Sequence, residues 1–265
     1  MRITEATIMT RRFIPISSNG IGSGDTMSRL GIIGGLGPMA TAYFMQLVIQ
    51  MTQADVDQDH IEMIVYNCPS IPDRTRYILG KSDLNPLIPM IEIGKALAVA
   101  GAGTIAIPCI TAHYFHDELE KAIGVPIIHG IGETADYLYN RGYRKVGVMA
   151  TDGTVESGLF TREFGKKGME CLYPSSEGQA CVMELIYDDV KAGKSVDMDK
   201  FRRVADELFA AGAEVILLGC TELSLIKRDQ PLGAGFLDVM EVLAKCSVER
   251  YGILKREYQE LITRE

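Results

Sequence analysis

Short, almost uninterrupted apolar runs recur along this 265-residue chain from Leu30 onwards. They are LGIIGG (30–35), IEMIVYN (61–67), TIAIPC (104–109), VPIIHG (125–130), KVGVMAT (145–151), VILLGC (215–220) and GAGFLDV (233–239). Strands that are apolar on both faces are typical of parallel sheets covered by helices on both sides. The runs are therefore predicted to be strands of parallel sheets.

Between the apolar runs lie segments with helical periodicity, several of which end at a glycine that stops a helix. They are PMATAYFMQLVIQMTQ (38–53), DELEKAI (117–123), GETADYLYNRG (132–142) and DKFRRVADELFAAGA (199–213). Strands that alternate with helices in this way indicate an α/β fold built from βαβ units.

Two windows of the chain repeat one another. AGAGTIAIPC (100–109) and AGAEVILLGC (211–220) share Ala-Gly-Ala at the start, Ile at the sixth position and Cys at the tenth. Each cysteine leads into a threonine, and each half of the chain also has an earlier strand that runs into a Gly- or Thr-containing loop. We therefore predict two pseudo-symmetric βαβ lobes, with ligands bound at the carboxyl ends of their strands.

Lobe one is predicted to consist of two segments of the chain, and lobe two of a single segment. Lobe one comprises residues 29–129 and 231–265, and lobe two comprises residues 130–230. Residues 1–28 have three arginines but no apolar stretch of the kind found in a secretory signal, and we predict that they form a flexible N-terminal arm.

The repeated thiols, Cys109 and Cys220, suit a reaction that inverts a carbon centre. Such a reaction removes a proton from one face and delivers another to the opposite face, so a thiolate on one wall of a cleft and a thiol on the other can perform it in either direction. A helix N-terminus after each cysteine would favour the thiolate form. The alternative is that both are small core residues, a common role for cysteine.

Six motifs occur together in this chain. They are GIIGGLGPMAT (31–41), IPDRT (71–75), PCITAH (108–113), TDGT (151–154), VKAG (190–193) and GCTE (219–222). With these motifs in this order, the chain resembles the aspartate/glutamate racemase family, and most closely its aspartate racemase branch. The resemblance implies an amino-acid racemase without a cofactor, two α/β lobes around an active-site cleft, and a homodimer.

The resemblance also implies roles for individual residues. Cys109 and Cys220 would be the catalytic acid and base, and Arg74 and Lys191 would bind the carboxylates of an acidic amino acid. Arg74 could instead form a loop ion pair with Asp73. Further substrate-binding candidates are Thr111, Thr151, Thr154, Thr221 and Glu222, although threonines in such turns are also ordinary helix caps.

Glu222 could orient or deprotonate Cys220, or could simply favour the start of a helix. Ile110 departs from the family pattern, which has asparagine after the first cysteine. The departure leaves room for a substrate with an apolar part, or for a related reaction such as maleate isomerisation. A two-lobed protein that binds an amino acid without converting it is a further alternative.

Composition excludes several classes of partner. The net charge of −8 and the lack of Lys/Arg clusters argue against nucleic acid and anionic membrane surfaces, and no apolar run reaches the roughly 18 residues of a membrane span. The six cysteines lack the spacing of a disulfide framework, which indicates free thiols and the cytoplasm.

Two cofactor patterns are weak. Gly35, Gly37 and Ala40 match a dinucleotide fingerprint, but no acidic residue follows the second strand, and Pro38 is typical of a helix start. Cys109, His113 and His116 have a spacing that could contact one metal, but no fourth ligand is evident. We therefore predict neither a cofactor nor a metal.

Overall fold

The computed structural model describes residues 28–264 and contains seven strands in that range. The strands are β1 (Arg29–Gly34), β2 (Met63–Asn67), β3 (Ala102–Ala106), β4 (Lys145–Met149), β5 (Glu170–Leu172), β6 (Val215–Leu218) and β7 (Phe236–Asp238). Apart from Ser28, the predicted N-terminal arm lies outside the described residues.

Helices follow most of the strands. They are α1 (Pro38–Met51), α2 (Arg74–Ile78), α3 (Leu87–Val99), α4 (His116–Ile123), α5 (Gly130–Tyr139), α6 (Asp152–Glu156), α7 (Leu159–Gly165), α8 (Ser176–Glu184), α9 (Met198–Ala210), α10 (Thr221–Asp229) and α11 (Val239–Tyr251). Short 3₁₀ segments occupy Asp57–Asp59, Ile110–Phe115 and Arg256–Gln259, and a π-helical turn occupies Leu185–Val190.

The strands form two sheets, and all the strand pairs in them are parallel. The first sheet has the order β2-β1-β3, and the second has the order β5-β4-β6-β7. The predicted α/β fold with parallel sheets is thus confirmed. Nearly every side chain of β1, β4 and β6 is buried, as expected for strands covered on both faces.

One hydrophobic cluster connects the two sheets. Ile32 of β1 and Val148 of β4 belong to it together with Phe44 of α1 and Leu243 of α11, and all four side chains are fully buried. Full burial of such a side chain contributes about 1.5–3 kcal/mol. The shared cluster therefore holds the two lobes in a fixed relation, while separate clusters fill the outer face of each sheet.

Side-chain caps position several helices. The caps whose side chains accept a hydrogen bond from a first-turn backbone N–H are Asp73 before α2, Thr151 before α6, Ser175 before α8, Asp197 before α9 and Asp238 before α11. A cap of this kind stabilises a helix by about 1 kcal/mol. The Asp238 carboxylate also accepts a 2.7 Å bond from the Ser224 hydroxyl, which ties α10 to the start of α11.

The segment after residue 230 is shared between the lobes. The predicted boundary assigns it to lobe one, but β7 lies beside β6 in the second sheet. Helix α11 packs against α1 and α5, on the side where the sheets share their core. The boundary at residue 230 therefore separates two strands of the same sheet, and the assignment of β7 to lobe one needs correction.

The predicted strand at 125–130 is reduced to a single bridge between Ile127 and Ile105. Pro126 has no N–H to extend the ladder, and the chain enters α5 at Gly130. Strand β5 and several helices lay outside the sequence predictions, namely α2, α3, α6, α7, α8 and α11. Helix α3 is largely apolar on all sides, so it lacks the periodicity that reveals a helix.

Candidate active site

A small cavity of about 10 Å³ lies where the carboxyl ends of both sheets meet. All but one of the site residues predicted from the sequence line it: Arg74, Cys109, Thr111, Thr151, Lys191, Cys220, Thr221 and Glu222. They come from loops and helix starts that follow β2, β3, β4 and β6, and from the π-helical turn. The fold thus brings together residues that lie far apart in the sequence.

The two cysteines occupy equivalent positions. Cys109 is the residue before the 3₁₀ segment that follows β3, and Cys220 is the residue before α10, which follows β6. Both have extended backbone angles, and both side chains are only 5% exposed. The repeat in the sequence therefore corresponds to a repeated strand-to-helix junction, with a thiol on each side of the cavity.

Cys220 faces a carboxylate. Its thiol donates a 2.9 Å hydrogen bond to Oε2 of Glu222, whose Oε1 lies 3.9 Å from Nζ of Lys191. Burial and the Glu222 charge raise the pKa of Cys220 well above its ordinary value, against an opposing effect of Lys191. Cys220 is thus held as a thiol, with a proton acceptor in contact.

Lys191 is a cation with two neighbours of different kinds. Burial alone would lower its pKa, but the Glu222 carboxylate raises the pKa above its ordinary value. Nζ also lies 4.0 Å from the centre of the Tyr187 ring, a cation–π contact. Lys191 therefore remains charged at the edge of the cavity, with its side chain 29% exposed.

Arg74 is buried beside the other thiol. Its Nη1 donates to the carbonyls of Ile71 and Pro72, and its Nη2 donates to the carbonyl of Leu36 at 2.8 Å. Burial alone would lower the pKa of Arg74, but the adjacent Cys109 and Asp73 raise it above its ordinary value. Its Nε is buried and has no partner among the described residues, so this donor is available for a ligand.

Three threonine hydroxyls form a closed ring next to the cavity. Thr111 lies 3.1 Å from Thr151, Thr151 lies 3.1 Å from Thr154, and Thr154 donates to Thr111 at 3.0 Å. Thr154 is fully buried behind the other two and is the predicted site residue that does not line the cavity. The ring joins the loop after β3 to the start of α6.

The cavity wall includes residues that the sequence analysis did not select. Leu36 and Ile110 supply apolar surface, whereas Asp73, Thr75 and Tyr187 are polar. Asp73 and Thr75 flank Arg74, and Tyr187 is four residues before Lys191. An i, i+4 spacing places two side chains on one face of a helix, so this spacing was the available signal for Tyr187.

Three of the four histidines form a separate cluster. The rings of His113, His116 and His129 lie within 6.4 Å of one another, and Nε2 of His113 faces the carbonyl of Ile107. Within residues 28–264, no three His, Cys, Asp or Glu side chains are arranged to hold a metal ion. The spacing of Cys109, His113 and His116 therefore does not correspond to a metal site in the described part of the chain.

The glycine-rich loop after β1 is closed by its own side chains. The Gly35 N–H donates to the Thr41 hydroxyl at 2.9 Å, and that hydroxyl donates to the Gly37 carbonyl. Gly35 has a positive φ of 93°, and a Cβ there would lie 2.4 Å from the backbone of Cys68. The glycine is required for this close approach, and Pro38 opens α1 as expected.

None of the helices in the described residues is both long enough and apolar enough to cross a membrane.

Comparison with known proteins shows similarity over most of the chain. The family described as Asp/Glu/Hydantoin racemase matches residues 33–246. The broad specificity amino-acid racemase RacX of Bacillus subtilis is 26% identical over 226 residues, which cover 84% of this chain and 97% of that protein.

Solved structures show the same similarity. The aspartate racemase of Picrophilus torridus superposes with a TM-score of 0.72 at 30% identity, covering 88% of this chain and 98% of that chain. An aspartate racemase homologue from Pyrococcus horikoshii has a TM-score of 0.68 at 25% identity, covering 85% of this chain and 99% of that chain. The similarity thus extends over both lobes.

Proposed function

The chain belongs to the Asp/Glu/hydantoin racemase family and is an isomerase of the racemase type, and we propose that it racemises aspartate or another acidic amino acid without a cofactor. In this proposal Cys109 and Cys220 are the two catalytic groups. The observation that carries it is that the two thiols, from equivalent junctions of the two sheets, line one cavity.

The proposed reaction transfers one proton from each side of the substrate. The Cys109 thiolate takes the α-hydrogen as a proton, and the electron pair of the broken C–H bond remains on the substrate as a carbanion conjugated with its carboxylate. The Cys220 thiol then gives its proton to the opposite face, and it becomes a thiolate. The raised pKa of Cys220 supports its assignment as the protonated group in the free enzyme.

Two cations support an acidic substrate. The free Nε of Arg74 lies in a buried guanidinium beside Cys109, where it can hold the carboxylate that stabilises the carbanion. Lys191 supplies a second positive charge from the other lobe. A dicarboxylic amino acid has one anionic group for each of these cations.

Thr111 and Thr151 present hydroxyls to the same cavity, and Thr221 begins the helix after Cys220. We propose that these groups bind the ammonium or carboxylate of the substrate. Thr154 supports them indirectly through the hydroxyl ring. When the reaction runs in the opposite direction Cys220 is the base, and Glu222 is proposed to receive its proton or to orient the thiol.

A second candidate is a racemase of broader specificity. Leu36 and Ile110 line the cavity with apolar surface, and Ile110 stands where the family pattern has an amide. The similarity to a relative described as a broad specificity racemase agrees with this candidate. A screen of amino acids with acidic, neutral and apolar side chains separates the two candidates.

The proposed function is tested in D₂O. Wild-type protein should incorporate deuterium at the α-carbon of L-aspartate and convert it to the D form, followed by ¹H NMR and chiral chromatography. Cys109→Ser and Cys220→Ser should each lose racemisation by at least about 1000-fold, because only one face keeps a competent group. Cys171→Ser, at a cysteine in β5, is the matched control and should remain active.

Two outcomes contradict the proposal. If neither aspartate nor any acidic amino acid exchanges its α-hydrogen, the proposed substrate class is wrong. If either single serine variant racemises at a rate near wild type, the two-thiol mechanism is wrong. Circular dichroism of all variants checks that the fold is intact.

We further propose that the protein is a cytoplasmic homodimer. All six cysteines are free thiols, and two of them must stay reduced for the proposed chemistry, which supports a reducing compartment. Light scattering of the purified protein measures the oligomeric state, and a monomeric mass would contradict the dimer.

A further inference from the structure

The cavity is much smaller than any amino acid, so the site has to open before a substrate enters. Its volume is about 10 Å³, which is close to the smallest space that holds one water molecule. The two sheets share a buried cluster that includes Phe44 and Leu243, and this cluster resists separation of whole lobes. Opening is therefore expected at the rim of the cavity.

The π-helical turn Leu185–Val190 forms part of that rim. Its residue Tyr187 is half-buried and lines the cavity, and the residues that follow it, 191–195, are exposed. A π-helical turn is uncommon and often occurs at functional sites. Leu185 and Ile186 anchor the turn in the core of lobe two, whereas Tyr187 and the residues from Lys191 onwards lie at its outer side. Movement of these outer residues would uncover the cavity.

Tyr187 contacts both halves of the site. Its hydroxyl donates a 3.2 Å hydrogen bond to Oδ2 of Asp73, the residue before Arg74, and its ring lies under Nζ of Lys191 at 4.0 Å. The other oxygen of Asp73 accepts from the Arg76 N–H at 2.8 Å and so caps α2. One side chain thus connects the loop that carries Arg74 with the turn that carries Lys191.

The inner side of the cavity, formed by α6 and the threonine hydroxyl ring, lies next to the Tyr187–Asp73 hydrogen bond. At Gly153 of α6, a Cβ would lie 2.8 Å from Cα of Thr75, so α6 and α2 pack here with no room for a side chain. The hydroxyl ring of Thr111, Thr151 and Thr154 is buried on the same inner side. The Tyr187–Asp73 bond is the partly exposed connection, and it can break without disturbing the core.

We propose that Tyr187 is a positioning residue that latches the cavity shut through Asp73 and holds Lys191 in place through its ring. The hydroxyl also occupies the Asp73 carboxylate, which would otherwise compete with the substrate for the two cations. The inference rests on the proposed function only where it concerns substrate affinity, because the latch itself can be tested on the thiols.

The first experiment measures alkylation of Cys109 and Cys220 by iodoacetamide, resolved by peptide mass spectrometry. Tyr187→Phe keeps the ring and removes the hydroxyl, so both thiols should react about 10-fold faster, the effect of losing one hydrogen bond to a charged group. Tyr173→Phe is the matched control, because its hydroxyl contacts Thr161 elsewhere in lobe two. It should leave both rates unchanged.

A second variant approaches the same bond from the other side. Asp73→Ser keeps an N-cap for α2 but is too short to reach Tyr187, so it should accelerate alkylation by a similar factor. The double variant should react no faster than either single variant, because both remove one interaction. Unchanged alkylation rates in Tyr187→Phe and Asp73→Ser overturn the latch.

The third experiment measures racemisation by the same variants. Tyr187→Leu should raise KM by about 10-fold with a smaller change in kcat, because Lys191 loses the ring, and Tyr187→Phe, which keeps the ring, should raise KM less. A lower kcat with unchanged KM contradicts the positioning role. If no amino acid is racemised but alkylation accelerates as expected, the latch stands and the proposed function fails.

Discussion

The Cys220 thiol donates its hydrogen bond to Glu222, and the two groups lie 2.9 Å apart in a buried part of the site. The carboxylate has two opposing consequences for Cys220. It raises the pKa of the thiol by charge repulsion, and it also provides an acceptor for the thiol proton. These consequences can be separated by substitution.

Glu222→Gln removes the negative charge and retains the shape. The pKa of Cys220 should fall, so alkylation of this thiol should become faster at pH 7–8. Racemisation should nevertheless slow by about 10- to 100-fold, because the proton acceptor is lost. Since the equilibrium constant of racemisation is one, kcat/KM should fall equally for both enantiomers.

Glu118→Gln, at an exposed position of α4, is the control for Glu222→Gln. An unchanged pH profile of Cys220 alkylation would contradict the prediction.

Arg74→Lys keeps the charge and removes the planar group. Lysine cannot donate hydrogen bonds to the carbonyls of Leu36, Ile71 and Pro72 while also binding a ligand. We expect a loss of about 2 kcal/mol in the free energy of unfolding by urea, and a KM about 10- to 100-fold higher.

The control for Arg74 lies on the same helix. Arg76→Lys changes an exposed arginine of α2, and both stability and KM should stay near wild type. If Arg74→Lys lowers stability and leaves KM unchanged, Arg74 holds the loop without binding the substrate.

Much of the candidate site was predictable because each candidate residue follows a recognisable strand or motif. The repeated thiols at 109 and 220 indicated two equivalent junctions, and those junctions meet at one cavity. Thr154 shows the limit of this reasoning. Its motif suggested contact with the substrate, but Thr154 is buried behind Thr151. This burial depends on how α6 packs, which a local sequence pattern does not indicate.

In the fold, likewise, elements with a clear local sequence pattern were predictable and elements that depend on contacts distant in sequence were not. Strands β1, β4 and β6 are uniformly apolar and were predictable, whereas β5 has only three residues and pairs through distant contacts with β4. The strand predicted at 125–130 failed because Pro126 limits the ladder. Tyr187 was missed because its hydroxyl contacts Asp73, which is 114 residues away.

Thr154→Val tests the hydroxyl ring. Valine has nearly the same shape but cannot join the bonds to Thr111 and Thr151, so those two hydroxyls lose a fully buried partner. The free energy of unfolding should fall by about 1–2 kcal/mol, and KM should rise several-fold because the two lining hydroxyls are no longer fixed. Urea unfolding and steady-state kinetics measure the two effects.

Thr134→Val is the matched control for the ring. Thr134 is also fully buried, but among the described residues its hydroxyl bonds only the Gly130 carbonyl within α5. It should lower stability by a similar amount and leave KM unchanged. Equal KM values for the two valine variants would show that the ring serves stability alone.

His113 should make the protein less stable in acid. Burial, followed by the charges of His129 and His116, lowers the pKa of His113 to about 3, so the folded state favours the neutral ring. An unfolded histidine binds a proton below about pH 6.5. The free energy of unfolding should therefore fall as pH decreases from about 6.5 towards 3, by about 1.4 kcal/mol per pH unit from this residue.

His113→Gln can still donate to the Ile107 carbonyl but cannot titrate. Urea unfolding at pH 8 measures the fixed cost of the substitution. Below pH 6.5 the wild-type curve should fall more steeply than that of the variant, and parallel curves would show that His113 does not set the acid sensitivity.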